Sequence, residues 1–412
     1  MRMQLRISLF AGLLLFSSVA LAQDNQSEEG KKLNETEVNF LFNYYEQDGN
    51  NAAVTGGEGT EELNNVAPSV MINIPLDTTK TLSAYFGFDH YSSASSDQIG
   101  KANVSSASSA DTRSYINATY SVKRPNNSTY SIKAGFSTEY DYTSSSFGFG
   151  WAKEFNNSNT EINISGLAYI DKWKLIYPTE LRTGEQLVDT DKRQSYNFSA
   201  NLAQVLTKRL QASLSLEYVY QTGLLSTPFH RVYFNDDDLI VDKVPKVERL
   251  PDSRTKIPLG LRVNYYLNDL IILRGYYGYY HDDFDIDAHT VNLEVPVKVT
   301  SFFSVYPFFR YHQQTASKYF APFGQHEETE EYYTSDYDLS ALTSTAMGLG
   351  LKYSPLYGLA RFKGPFSSKT KRITTFKSVD VRFADYTRTG DNPGGGGDLD
   401  AYSVSFELTF VF

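Results

Sequence analysis

The sequence predicts an all-β protein: a transmembrane, up-and-down antiparallel β-barrel of about 16 strands, with short periplasmic turns and long extracellular loops. Three observations carry this expectation. Runs of about 10 residues alternate apolar with polar side chains along most of the chain. The connections between these runs alternate short with long. Beyond the N-terminus no stretch reaches the roughly 18 to 20 apolar residues of a membrane helix, whereas a barrel strand crosses with about 9 to 11.

The first element is an export signal. Arg2 and Arg6 precede an apolar run from Ile7 to Val19, and Ala20-Leu21-Ala22 is a small-residue cleavage site. Residues 1–22 therefore read as a cleaved signal peptide, 23–36 as a polar periplasmic segment, and 37–412 as the barrel domain. Loss of the two arginines takes the net charge from −10 to −12. Export leaves three destinations: periplasm, medium or outer membrane. The strand pattern selects the outer membrane of a Gram-negative cell.

Alternation is clearest at the end of the chain, where Tyr402, Val404, Phe406, Leu408, Phe410 and Phe412 oppose Ser403, Ser405, Glu407, Thr409 and Val411. Such an aromatic-ended strand suits recognition by a barrel-assembly machinery, with Tyr402, Phe410 and Phe412 as the signal. The same period of two recurs in residues 210–220, 130–140 and 257–265. The sixteen expected strands are 37–47, 66–75, 80–90, 111–123, 128–140, 144–154, 159–170, 193–205, 209–221, 255–266, 270–281, 287–297, 301–313, 340–353, 374–385 and 401–412.

Even-numbered connections are tight, as at 76–79, 124–127, 155–158, 206–208, 268–269 and 298–300. The long ones fall on odd positions: 48–65, 91–110, 171–192, 222–254, 314–339 and 386–400. That parity is the outer-membrane arrangement. Residues 354–373 break it, being long yet periplasmic, so either this turn is elaborated or one hairpin is misplaced. A soluble β-sandwich or propeller is the alternative, but its loops would not sort by length with parity.

Composition agrees. With 15% aromatic residues, 31 Tyr, 27 Phe and a modest net charge the chain is not disordered. No Cys means no disulfide framework, thiolate zinc site, covalent haem or Cys nucleophile. A pI near 5.2 argues against a nucleic-acid partner. Nucleophile elbows, Walker loops and dinucleotide fingerprints are absent in any usable context, so no catalytic residue and no cofactor is expected.

Residues 196–233, with the Ala203-Gln204-Val205-Leu206-Thr207-Lys208 turn and the Pro228-Phe229-His230-Arg231-Val232-Tyr233 loop, resemble an uncharacterised family of bacterial outer-membrane proteins catalogued as domain of unknown function 3570. Ile286-Asp287-Ala288-His289-Thr290, Arg310-Tyr311 and Gln314-Thr315-Ala316 carry the same resemblance, which extends over 37–412. Phe229-His230 replaces the Tyr-Arg usual in the family. The resemblance implies an outer-membrane barrel without established activity, sometimes suggested to accompany periplasmic flavin-attachment or redox proteins.

A barrel of this size cannot fill its interior with side chains, so parity nominates a lumen lining. Arg262, Asn264, Arg274, Tyr276, Tyr280, Asn292, Glu294, Tyr306, Arg310 and His312 should point inward, with Asp380, Arg382 and Glu407 on the last two strands. Such a mixed-charge wall either orders solutes, as in a selective pore, or pairs with itself and holds the barrel shut. The loop 222–254, with Arg231, Asp236, Asp237, Asp238, Arg249 and Arg254, is either a constriction or a surface excursion.

The acidic tip 281–289 offers oxygen and imidazole ligands at Asp282, Asp285, Asp287 and His289. These are weak metal candidates, because the glycine and terminal glutamate of a calcium loop are missing. A solvated acidic tip is the simpler reading, and a rim hydrolase the remotest. Function therefore narrows to a channel or transporter for small polar solutes, or a non-conducting scaffold that binds periplasmic proteins through 23–36 and 354–373.

Overall fold

The computed structural model describes residues 35–93, 110–182, 189–235, 244–363, 373–393 and 395–412. The expected signal peptide, most of the polar segment after it, and Asp236, Asp237 and Asp238 lie outside these residues. Sixteen antiparallel strands close into a barrel. They are β1 (Glu37–Gly49), β2 (Leu63–Pro75), β3 (Lys80–Ser93), β4 (Ala110–Lys123), β5 (Ser128–Thr138), β6 (Tyr142–Phe155), β7 (Thr160–Leu175) and β8 (Asp189–Thr207). The second half comprises β9 (Leu210–Gly223), β10 (Ser253–Tyr266), β11 (Ile272–Asp282), β12 (Asp287–Glu294), β13 (Phe303–Gln314), β14 (Leu342–Tyr353), β15 (Ile373–Gly390) and β16 (Leu399–Val411).

Each strand pairs with the next in the chain, and β16 returns to β1 with Phe406 opposite Phe42. Closure satisfies every edge, which lipid demands because it offers no hydrogen bonds. The period of two then sorts the side chains. Phe40, Phe42, Ile132, Phe147, Leu214, Leu261, Phe309, Met347 and Phe406 are exposed on the outer wall. A continuous apolar belt of this kind is foreign to a soluble surface and matches hydrocarbon. Phe410 stacks on Phe376 at 4.8 Å and meets Phe40 edge-on at 5.5 Å, which seals the closing seam.

All sixteen expected strands exist, but several run further toward the long-loop end than expected. β7 reaches Leu175, β8 starts at Asp189 and β15 reaches Gly390. The ladder continues there among polar residues, where apolar alternation has already stopped. β12 instead ends early at Glu294, and Val297–Lys298 resumes the pairing with β13.

Tight turns at the short-turn end follow local chemistry. Asn156, Asn157 and Ser158 take φ of 51°, 54° and 63° between β6 and β7, and Asn127 takes 60° between β4 and β5. Asparagine tolerates this left-handed region better than most side chains. In the β2–β3 turn Asp77 accepts hydrogen bonds from the Thr79 hydroxyl and amide at 2.7 Å and from the Lys80 amide at 2.9 Å. The Thr79 bonds lead in lowering its carboxyl to about 2. The long connection after β14 is no misplaced hairpin: among its described residues Ala360–Lys363 pairs with Ile373 to Phe376 and extends the β15 ladder, which makes it an elaborated turn.

Candidate functional site: the inner wall and the cap over it

Rows of inward residues can be followed from strand to strand by register. Arg262, Tyr276, Asn292, Arg310, Ala346 and Tyr386 form one row across β10 to β15. One step toward the short turns, Asn264, Arg274, Glu294, Phe308 and Gly348 form the next. Further down lie Tyr306, Gly350 and Arg382, then Lys352, Asp380 and Glu407. His312 stands one step toward the long loops from Arg310, opposite Thr290, whose hydroxyl is 2.8 Å from its Nδ1.

These rows interlock. Glu294 accepts from Arg274 Nη1 on the neighbouring strand at 2.8 Å and from Arg382 Nη2, three strands away, at 2.7 Å. Arg382 reaches that far because the intervening strand β14 presents Gly348 and Gly350 to the interior. The rings of Phe308 and Tyr306 pack against these glycines so closely that an added Cβ would overlap them. The Arg382 guanidinium stacks on the same rings at 4.9 and 5.1 Å, and the Tyr306 hydroxyl donates to Asp380. Ring-over-glycine pairs pin register. Tyr115 covers Gly87 in a similar way, and the Tyr276 hydroxyl end lies against Gly260 and Gly278.

Toward the long-loop end the inner wall changes to buried ion pairs. Arg193 Nε binds Asp171 at 2.9 Å, with the guanidinium over the rings of Trp173 and Tyr142 at 5.5 and 5.8 Å. Arg254 binds Asp282 and stacks on Phe284 at 4.3 Å. Arg388 donates to Asp338 Oδ1 at 2.6 Å and to the Gly397 carbonyl at 2.7 Å, and its Nη2 is 3.6 Å from Glu61. Three separate loops thus meet on one guanidinium that is 2% exposed.

The loop between β9 and β10 completes this cap. It starts eight strands from the β1–β2 loop whichever way the sixteen-strand barrel is counted, yet the two touch. Arg231 Nη1 donates to the Val54 carbonyl at 2.6 Å, while its Nε and Nη2 grip Glu180 of the β7–β8 loop at 2.5 and 3.2 Å. The Tyr233 ring packs against Gly56, which has φ +84°. Val232 and Phe234 bury with Tyr333 of the β13–β14 loop, and Arg249 bridges to the backbone of Tyr333. The loop therefore spans the mouth and is no free surface excursion. Arg249 itself is exposed beside Glu331, and Arg254 belongs to the start of β10.

Glu248 is the buried keystone of that loop. It accepts from the Thr227 amide at 2.6 Å and the Thr334 hydroxyl at 2.5 Å, with His230 Nδ1 3.4 Å away. Burial pushes its carboxyl up, but attraction to His230 and these hydrogen bonds outweigh it and hold the carboxyl below its ordinary value. A carboxyl held down in this way stabilises the cap above the ordinary carboxylate range and ceases to do so as pH falls through its folded value. Hydrogen exchange of residues 226–235 and 244–250, corrected for intrinsic rates, should be slow at neutral pH and accelerate below the ordinary 4.5. Protection independent of pH would contradict the keystone role.

The acidic tip does not gather its four candidate ligands, and it is not simply solvated. Asp282 is 1% exposed, bound to Arg254 and to the Phe284 and Ile286 amides at 3.0 and 3.1 Å. Asp285 turns outward to Lys318, Asp287 takes the Tyr279 hydroxyl and His281, and His289 stacks on Tyr277. The four side chains do not converge. Among the described residues, ligand atoms do converge within 4.8 Å in His230–Glu248–Asp336 and Asp111–Glu139–Asp141. Both groups already have donors, Thr227 and Thr334 in the first and Tyr91 and the Tyr140 amide in the second.

Tyr402 and Phe410 face outward on β16, and Phe412 exchanges backbone hydrogen bonds with Thr36 at 2.9 and 3.2 Å. Sequence reasoning did not single out Arg193, Arg388, Asp171 or Glu61. Facing positions gave one signal, since Asp171 opposes Arg193 in register. Arg388 had none, because its partners are brought by loops.

No curated protein matches the sequence. Among solved structures it is similar to the ferric enterobactin receptor of Pseudomonas aeruginosa, at 11% identity and TM-score 0.46, over 85% of this chain and 53% of the receptor. It is also similar to a bacterial polysaccharide outer membrane secretin, at 10% identity and TM-score 0.45, over 92% and 99% of the two chains. CdiB of Acinetobacter baumannii matches at 10% identity and TM-score 0.46, over 90% and 60%. The chain spans about half the length of the first of these proteins. In sequence it matches one family across residues 9–406, and it therefore belongs to the family described as Protein of unknown function (DUF3570).

Proposed function

We propose that this chain is an outer-membrane channel for small polar solutes whose outer mouth is covered by its own loops. The apolar outer belt supports a place in the outer membrane, with short turns in the periplasm and long loops outside. The observation that carries the reading is the β9–β10 loop crossing to the β1–β2 loop above a charged inner wall. A charged wall is useful to a solute path, and a cap over it makes that path conditional. The hairpin carboxylates are engaged in ion pairs, which supports a non-enzymatic role.

A second reading has one observation in its favour. Leu356 and Tyr357, 88% and 72% exposed, project from the elaborated turn 354–372 at the periplasmic end. They suit a scaffold that docks a periplasmic protein, of the redox class that the family resemblance suggests. Conductance in planar bilayers separates the readings. Wild type should pass small, intermittent currents, and Arg388→Ala should pass larger and longer ones. Silence from both, with insertion verified, would rule out the channel and leave the scaffold.

A further inference from the structure

The inner wall is unevenly charged. From the Tyr306 level up to the Arg310 level of β10 to β15, below the row of His312, four guanidiniums (Arg262, Arg274, Arg310 and Arg382) face one carboxylate, Glu294. Glu294 is already shared by Arg274 and Arg382. Arg262 and Arg310 remain. Among the described residues, every other arginine that points inward from a strand is ion-paired, whereas neither of these has a carboxylate within 4.0 Å.

The two stand on one row, with Tyr276 and Asn292 between them. Three strand spacings separate their backbones by about 14 Å, a gap that two long side chains can close around a small ion. The Arg262 guanidinium lies 5.5 Å over the Tyr276 ring, which orients it along the wall. Tyr276 is within electrostatic reach of both arginines and of the Glu217 carboxylate on β9. Arg310 is flanked on the other side by Tyr386. Planar guanidiniums without a counter-charge, set in a part-buried aromatic wall, match carboxylate and phosphate oxygens.

We infer that Arg262 and Arg310 form an anion-binding site in the lumen, and that the solutes handled here are small carboxylate- or phosphate-bearing anions. This rests on the channel reading for its transport consequence, but binding can be measured without transport. Calorimetry on the detergent-folded full chain would use inorganic phosphate and malonate as probes. Wild type should bind at least one, and the two outcomes tell a phosphate from a carboxylate preference. Arg262→Ala and Arg310→Ala should each weaken binding about tenfold or more, as expected for loss of a charge-assisted pair. Arg310→Lys should retain part of it, and Arg209→Ala in the β8–β9 turn should change nothing.

Reversal potentials in a salt gradient form the second arm. Wild-type currents should favour anions, less so in Arg310→Ala and more so in Glu217→Gln. Binding that persists in a protein that never conducts would overturn the channel and leave the site standing. Currents without anion preference, together with no binding of either probe, would overturn the site and leave the channel. Arginine variants that fold, by heat-modifiable migration, and bind as tightly as wild type would also refute it.

Discussion

Gly350→Val should fail to give the compact, heat-modifiable form on refolding, while Gly275→Ala should behave as wild type. A Cβ at Gly350 would lie 1.8 Å from the Tyr306 ring, and that ring cannot step aside. Its hydroxyl is bound to Asp380 and its face is covered by Arg382, which is itself held by Glu294. Overpacking a well-filled site costs about 1 to 3 kcal/mol when neighbours can adjust. Here the neighbours form a chain of contacts across four strands, so the cost should reach the top of that range or pass it. At Gly275 the nearest atom to an added Cβ is the Val263 carbonyl at 4.0 Å, so alanine fits. The heat-modifiable fraction of each variant after refolding makes the comparison. Equal fractions would mean that the ring-over-glycine packing does not set register.

Arg388→Ala should loosen the cap without unfolding the barrel. The side chain ties β15 to the β1–β2, β13–β14 and β15–β16 loops through Glu61, Asp338 and Gly397. Removing one partner of a buried ion pair costs about 3 to 5 kcal/mol, because the other charge stays buried. At about 1.4 kcal/mol per decade, that shifts a closed-to-open cap equilibrium by about 100-fold or more. The barrel ladder has no part in this cluster beyond the end of β15, so heat-modifiable migration should persist. Unchanged open probability in Arg388→Ala would show that the loops do not limit conduction.

The barrel was legible because lipid imposes a rule that side chains must obey one residue at a time. Phe406, Leu408 and Phe410 alternate with Ser405, Glu407 and Thr409 whatever the rest of the chain does. Parity placed Arg262, Arg310 and Asp380 on inner rows for the same reason. Strand ends were less legible, since β7 and β15 continue through polar residues such as Lys172 and Thr387 that carry no apolar signal. The cap was legible only as one of two readings of the loop 222–254, and its contacts were not legible. Arg231 finds Val54 at a sequence separation of 177 residues, and Arg388 finds Glu61 only because three loops fold over the mouth. The acidic tip misled for a related reason: Asp282 looked like one of several solvent carboxylates, but its partner Arg254 comes from the preceding strand.

The chain has no cysteine, so two introduced thiols would be the only ones present. In Val54→Cys/Arg231→Cys the native contact across the mouth is removed and can be restored by a short bifunctional thiol reagent. Planar-bilayer current through this protein before and after crosslinking tests the capped-channel account most directly. Current should be raised before crosslinking and lost once the two loops are joined, and the reagent should have no effect on wild type. Current that is unchanged by joining the loops would contradict it.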